Sequence, residues 1–223
     1  MGTEEKQLTE KESLDLIAMM INKAKNAYYD TGVSSIMWGA VIAVCSLEKL
    51  AELQFGYRLP FDIFLLIFAA IIPQVFISIK EKKERPVKSY DDPYMDYIWL
   101  AFGICIFLLI FILNVIFNVW EPVAVEYGKL TNNKATSFRE FSTPLLLMLY
   151  GLPTFITGAA CKFRPMFWGG IFCWVCCVVT LFTNVKIDFL LMAASAVMAW
   201  LYPGIIIEKE YRQYKKEQVR TNV

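Results

Sequence analysis

The chain is predicted to be an all-α integral membrane protein: a polytopic bundle of about six transmembrane helices forming three helical hairpins, preceded by a cytoplasmic amphipathic helix. Three observations predict it. Of the 223 residues, 57% are hydrophobic and only 19% are charged, where a soluble globular domain carries roughly a quarter charged. The charges crowd into short segments and leave six uncharged stretches of 17 residues or more, close to the ~20 that an α-helix needs to cross a bilayer. The alternation of apolar and polar positions that marks a transmembrane β-barrel is absent.

Residues 1–30 come first, and they carry charge throughout, including Glu4, Glu5, Lys6, Glu10, Lys11, Glu12 and Asp15. A cleaved signal peptide needs a continuous apolar core there, so none is visible. Thr9 and Glu12 have the spacing of a capping box, and Leu14, Ile17, Ile21, Ala24 and Tyr28 follow at helical intervals, which predicts an amphipathic helix. Its apolar stripe has three candidate resting places: the membrane surface, the cytoplasmic ends of the bundle, or another protein.

The uncharged stretches run Thr31–Leu47, Ile63–Ile79, Tyr97–Trp120, Ser142–Cys161, Met166–Val185 and Phe189–Ile207. Lipid offers the backbone no hydrogen-bond partner, so each such segment must pair its own N–H and C=O groups as a helix. The first stretch passes into Ser46-Leu47-Glu48-Lys49-Leu50-Ala51-Glu52 and is expected to emerge amphipathically at its outer end. Asp92-Pro93 reads as N-cap and first helical residue of the third span, with Asp96 favourably placed against the helix dipole. Glu121 to Phe141 reads as a solvated connection, and residues 208–223 as a basic C-terminal tail after a six-helix domain over residues 31–207.

Orientation follows from charge. With the N-terminus in the cytoplasm, the cytoplasmic segments hold 16 Lys and Arg and the opposite face holds 6, the bias expected of the positive-inside rule. An even number of spans then returns the C-terminus to the cytoplasm, in the cell membrane. The loop from Lys80 to Lys88 is basic enough to attract anionic headgroups. Trp-Gly recurs at Trp38-Gly39 and Trp168-Gly169, and Pro73, Pro153 and Pro203 each precede a basic end. These repeats suggest three hairpins of the same orientation. A proline removes one helical hydrogen bond, which kinks the packing or leaves a backbone carbonyl open to an ion.

Residues that carry chemistry are few. Histidine is absent, which removes the commonest proton shuttle and metal ligand. No charge lies within the six stretches to mark an ion or proton relay. Glu48 and Glu52 stand four apart on one helical face, as candidates for an outer vestibule or a solvated helix end. Cys173 and Cys176, in Cys173-Trp174-Val175-Cys176-Cys177, have the spacing of a thiol redox pair. They fall in mid-span with no positive neighbour to lower a thiol pKa, and in lipid cysteine is a small apolar residue. No phosphate-binding loop, nucleophile elbow or metalloprotease spacing is present, so no catalytic residue, cofactor or metal site is expected. Composition implies membrane lipids as partners and, without a compact basic domain, no nucleic acid.

The segments Glu12-Ser13-Leu14, Trp38-Gly39, Tyr90-Asp91-Asp92, Leu149 to Phe155, Gly169 to Trp174 and Ala199 to Gly204 together resemble a family of bacterial multi-pass membrane proteins that has no assigned activity. The resemblance covers nearly the whole chain. It implies the bacterial inner membrane and this architecture, and it transfers no site.

The expected function is therefore that of a non-enzymatic sensor, regulator or scaffold, whose cytoplasmic helix and basic tail engage a protein partner or a second copy. A small permease or channel is the alternative, motivated by the three prolines and by Asn114, Asn118, Thr154, Thr157, Thr180 and Thr183 within the spans. A thiol oxidoreductase is the remote third.

Overall fold

A computed structural model describes residues 31–61, 63–84, 92–131 and 138–221. The amphipathic helix expected over residues 1–30 lies outside these, as does most of the basic loop after Glu84. The described residues are helical apart from short turns, with no strand among them. The helices are α1 (Val33–Phe55), α2 (Leu66–Glu84), α3 (Asp92–Val115), α4 (Glu121–Thr131), α5 (Ser142–Ala160), α6 (Arg164–Val179), α7 (Val185–Ala196) and α8 (Tyr202–Thr221). A 3-10 turn, Ile63–Leu65, leads into α2, and another, Phe138–Phe141, leads into α5.

Five helical stretches are long and apolar enough to cross a membrane: Val33–Phe55, Ile63–Glu81, Tyr94–Thr131, Phe138–Ala160 and Val185–Gln213. The sixth, α6, is apolar but has only 16 residues, a rise of about 24 Å against a hydrocarbon core of roughly 30 Å. Here the expected span Met166–Val185 is corrected. Its last residues form a turn, because a hydroxyl and a carboxamide compete with the helix for backbone groups. Thr180 Oγ donates to Cys177 O at 2.8 Å, and Thr183 Oγ, which donates to Asp188, lies 3.3 Å from Val179 O. Asn184 then caps α7 by accepting from Ile187 N at 3.2 Å.

Two more boundaries differ from expectation. The connection read as a solvated loop from Glu121 is helical through Thr131, and the tail read from residue 208 is helical through Thr221. Both are continuous with the span before them through a single π-helical turn, Ile116–Trp120 or Val197–Leu201. Each turn ends two residues before a proline, Pro122 or Pro203. Proline supplies no N–H and its ring crowds the carbonyl four residues back, and the widened turn takes up that mismatch. After it, Glu121 N bonds to Ile116 O and Tyr202 N to Val197 O, so the helix continues past each proline. Over the 38 residues Tyr94–Thr131 the rise is about 57 Å, far more than a bilayer core spans. The charged α4 therefore extends beyond the hydrocarbon. Arg139 returns to it, bonding Glu121 at 3.3 Å and lying 5.1 Å over the Phe117 ring.

Helices α1, α5, α6 and the α7–α8 rod form the packed centre, with α2 laid on α1 and α3 on α5. Glycine permits the centre's close approaches. A Cβ on Gly39 would fall 2.5 Å from Leu201 N, on Gly169 2.7 Å from Ala199 Cα, and on Gly170 2.7 Å from Phe155 N. Without a hydrophobic drive between helices in lipid, such backbone contact and its dispersion attraction hold the bundle together. Gly39 and Gly169, the glycines of the two Trp-Gly pairs, both seat on the π turn of the α7–α8 rod. At the other hairpin, α5 and α6 meet through a tight turn in which Phe163 N bonds to Gly158 O at 2.8 Å and Lys162 adopts φ 53°.

Candidate functional site

Polar side chains gather at three levels of the bundle. The first is the end at which α1 begins. Thr31 Oγ donates to Glu81 of α2. Two turns back along α2, Gln74 sits between α1 and α2: its Oε1 accepts from Trp38 Nε1 at 2.9 Å, and its Nε2 donates to Ser34 at 3.1 Å and Ser78 at 3.0 Å. All three bonds stay within the pair of helices, as a carboxamide in an apolar span requires. Gly32, in the left-handed region at φ 72°, lies against α8 so closely that a Cβ would fall 2.4 Å from Gly204 O and 2.8 Å from Glu208 N. The start of α1, the end of α2 and the base of α8 are thus one junction.

The second level is the centre. Trp200, on the π turn, is buried; its indole N–H donates to Thr154 Oγ at 2.8 Å, and that hydroxyl donates to Tyr150 O at 2.8 Å. The Tyr150 ring lies 4.9 Å from that of Trp200, and Phe102 of α3 meets both edge-on at 6.2 and 6.1 Å. Leu147, Met192 and Ile42 complete the packing. Pro153 and Pro203 are fully buried in this centre, whereas Pro73 lies exposed on α2. Cys173 and Cys176 are likewise buried, facing Ser195 of α7, and neither is in a disulfide. The hydroxyls of Ser46 and Thr157 are buried with no hydrogen-bond partner among the described residues.

The third level is the opposite end. Glu52 accepts from Leu59 N at 3.0 Å and pairs with Lys49 at 2.5 Å, pinning the segment that follows the α1 cap at Gly56. Glu48 accepts from the Tyr57 hydroxyl at 3.0 Å. Desolvation of that hydroxyl, with the Glu48 carboxylate beside it, holds the Tyr57 phenol above its ordinary pKa. Across from them, Lys186 of α7 bonds Gln54 at 3.0 Å, and the buried Asp188 accepts from Thr183 Oγ at 2.5 Å. The expected carboxylate pair is thus engaged in holding a helix end and its loop. Among the described residues, no group of three or more His, Cys, Asp or Glu is placed to hold a metal ion.

The six polar residues expected within the spans do not converge. Thr154 and Thr157 lie in the centre, Thr180 and Thr183 at the α6–α7 turn, and Asn114 and Asn118 on the outer surface of α3. Sequence reading passed over Gln74, whose signal was plain: one carboxamide inside an otherwise apolar stretch. It also passed over the Trp200–Thr154 bond, which joins residues 46 apart on different helices and leaves no trace in local pattern.

An all-helical chain with several helices long and apolar enough to cross a bilayer, gathered around one packed centre, is a multi-pass membrane protein. No family model, no curated protein and no solved structure matches it.

Proposed function

We propose that the chain is a non-enzymatic scaffold or regulator of the cytoplasmic membrane, crossing it six times with both ends in the cytoplasm. It engages a protein partner through the polypeptide at the α1–α2–α8 junction. The observation that carries this reading is the seating of Gly32 against Gly204 and the Glu208 backbone, which fixes the start of α1 against the base of a helical rod. The rod, α8, has 20 residues, about 30 Å of rise, and exposes Lys209, Arg212 and Lys215 along its length. Arg212 is braced by Glu208 one turn earlier. A rod rooted in the packed centre holds its charged surface in a defined position, which suits recognition better than a flexible tail does.

The bias of Lys and Arg supports the cytoplasmic side for this junction. A centre filled by Trp200, Tyr150 and Phe102 favours a static support over a solute path. In-cell crosslinking and pull-down with the full chain, a variant lacking residues 1–30 and a variant ending at residue 208 test the reading. Loss of the same partner from both truncated variants is expected. Identical partner sets for all three chains, or reporter fusions that place the two ends on opposite sides, overturn it.

A further inference from the structure

Helices α2 and α3 both flank the centre and both present an exposed apolar face, but the two faces differ in one respect. On α2 the polar side chains of Gln74 and Ser78 turn inward and bond to each other and to α1. Its outward face, with Phe68, Ile72 and Phe76, is purely apolar, as a surface against lipid tails should be. On α3 the inward face holds Trp99, Phe102, Ile106 and Leu113 against the bundle. The outward face reads Leu100, Ile104, Phe107, Phe111, Asn114 and Asn118, every one exposed. Those positions alternate by four and three residues, the spacing that keeps one seam facing a partner helix. Beside the seam, a Cβ on Gly103 would meet nothing within 4 Å.

The two asparagines are partly paired with each other. Asn118 Nδ2 donates to Asn114 O at 2.8 Å and to Asn114 Oδ1 at 3.0 Å. Among the described residues, that leaves the Asn114 amide as donor and the Asn118 Oδ1 as acceptor, on exposed side chains of an uncharged stretch. Lipid tails satisfy neither.

We propose that the outward face of α3 is a self-association surface, taking α3 of a second copy in parallel. The occupant follows from depth and complementarity. Copies of one chain insert the same way round, so a second α3 brings Asn114 and Asn118 to the same height in the bilayer. Its carboxamides supply the acceptor and the donor that the first copy lacks. A single asparagine in such a seam sets register and partner number in coiled coils, and interhelical carboxamide bonds drive association within membranes. This inference stands apart from the partner reading above, because α3 lies away from the α1–α2–α8 junction.

The test uses the full chain, fluorescently labelled at its C-terminus and reconstituted in phosphatidylethanolamine–phosphatidylglycerol vesicles. Energy transfer between copies is followed as the lipid-to-protein ratio rises. The expected result is a dimer that persists on dilution. Asn114→Leu with Asn118→Leu should raise its dissociation constant about tenfold or more, the effect of one or two interhelical hydrogen bonds, while Asn114→Gln retains association. In a Cys105→Ala background, Ile104→Cys should form an intermolecular disulfide on oxidation, and Phe68→Cys on α2 should not. Since these cysteine variants keep both asparagines, they decide the matter even where the leucine variant fails to fold. Transfer no greater than random proximity, equal dissociation of the leucine variant, equal crosslinking at Phe68, or an Ile104→Cys crosslink to a different protein in native membranes would each overturn the proposal.

Discussion

Replacing Thr154 by valine should cost the bundle far more than the loss of one hydroxyl suggests. Thr154 is inaccessible to solvent and Trp200 is 4% exposed, so the indole N–H that now donates to Thr154 at 2.8 Å would have no alternative partner and no water. An unpaired buried donor of this kind costs about 1–3 kcal/mol. Trp200→Phe removes the donor and also shrinks a ring packed against Tyr150 and Phe102, so its own cost includes a cavity. Once Trp200 is gone, Thr154→Val no longer orphans an indole N–H and removes only the hydroxyl's own bond to Tyr150 O, so its cost should fall. The double-mutant cycle should therefore show a coupling of about 1 kcal/mol, within the range measured for hydrogen bonds between transmembrane helices. Reversible unfolding in bicelles, followed by steric trapping, measures all four corners. Thr154→Ser is the control, since it keeps the acceptor and should stay close to wild type. A coupling below about 0.3 kcal/mol, the limit of ordinary additivity, or a valine variant as stable as the serine variant, would refute the reasoning.

Other expectations follow from close contacts and backbone geometry. Gly39→Ala and Gly169→Ala should each destabilise by about 1–3 kcal/mol through overpacking, because the added carbon meets backbone at 2.5 and 2.7 Å. Gly103→Ala, with open space around it, should be neutral or stabilising by up to about 1 kcal/mol through helix propensity; the same unfolding assay compares the three. Lys162→Gly should stabilise the α5–α6 hairpin by about 1 kcal/mol, since Lys162 holds a left-handed conformation at φ 53° that glycine adopts without strain. Gln74→Leu should cost about 1–3 kcal/mol by leaving the Trp38 indole N–H without its acceptor. It should also loosen α2 from α1, read as faster hydrogen exchange at the start of α1.

The all-helical, membrane-crossing class was legible in composition alone, because uncharged stretches of this length have no other stable state in lipid. The stretch Ser142–Cys161 matches α5 within a residue, since charge and polarity change sharply at both its edges. Boundaries failed where hydrophobicity and helix geometry part company. At Thr180–Asn184 the residues are apolar enough for a span, yet Thr180 and Asn184 bond to the backbone and end the helix early. At Glu121 and at residue 208 charge was read as the end of a span, but a π turn before Pro122 and another before Pro203 carry the helix onward. Composition reports where lipid stops, which is a different question from where a helix stops.

Read alone, the chain determined its solvent, its class and the scarcity of residues fit for catalysis, because those depend on how many charges it holds and how they are spaced. Tertiary structure decided which groups meet: Trp200 with Thr154, Gln74 with Trp38, the Gly32 backbone against Gly204, and, among the described residues, the two asparagines of α3 with each other alone. These pairings join residues far apart in the chain or depend on which side of a helix faces the centre. Both are set by how whole helices pack, which no local pattern of hydrophobicity records.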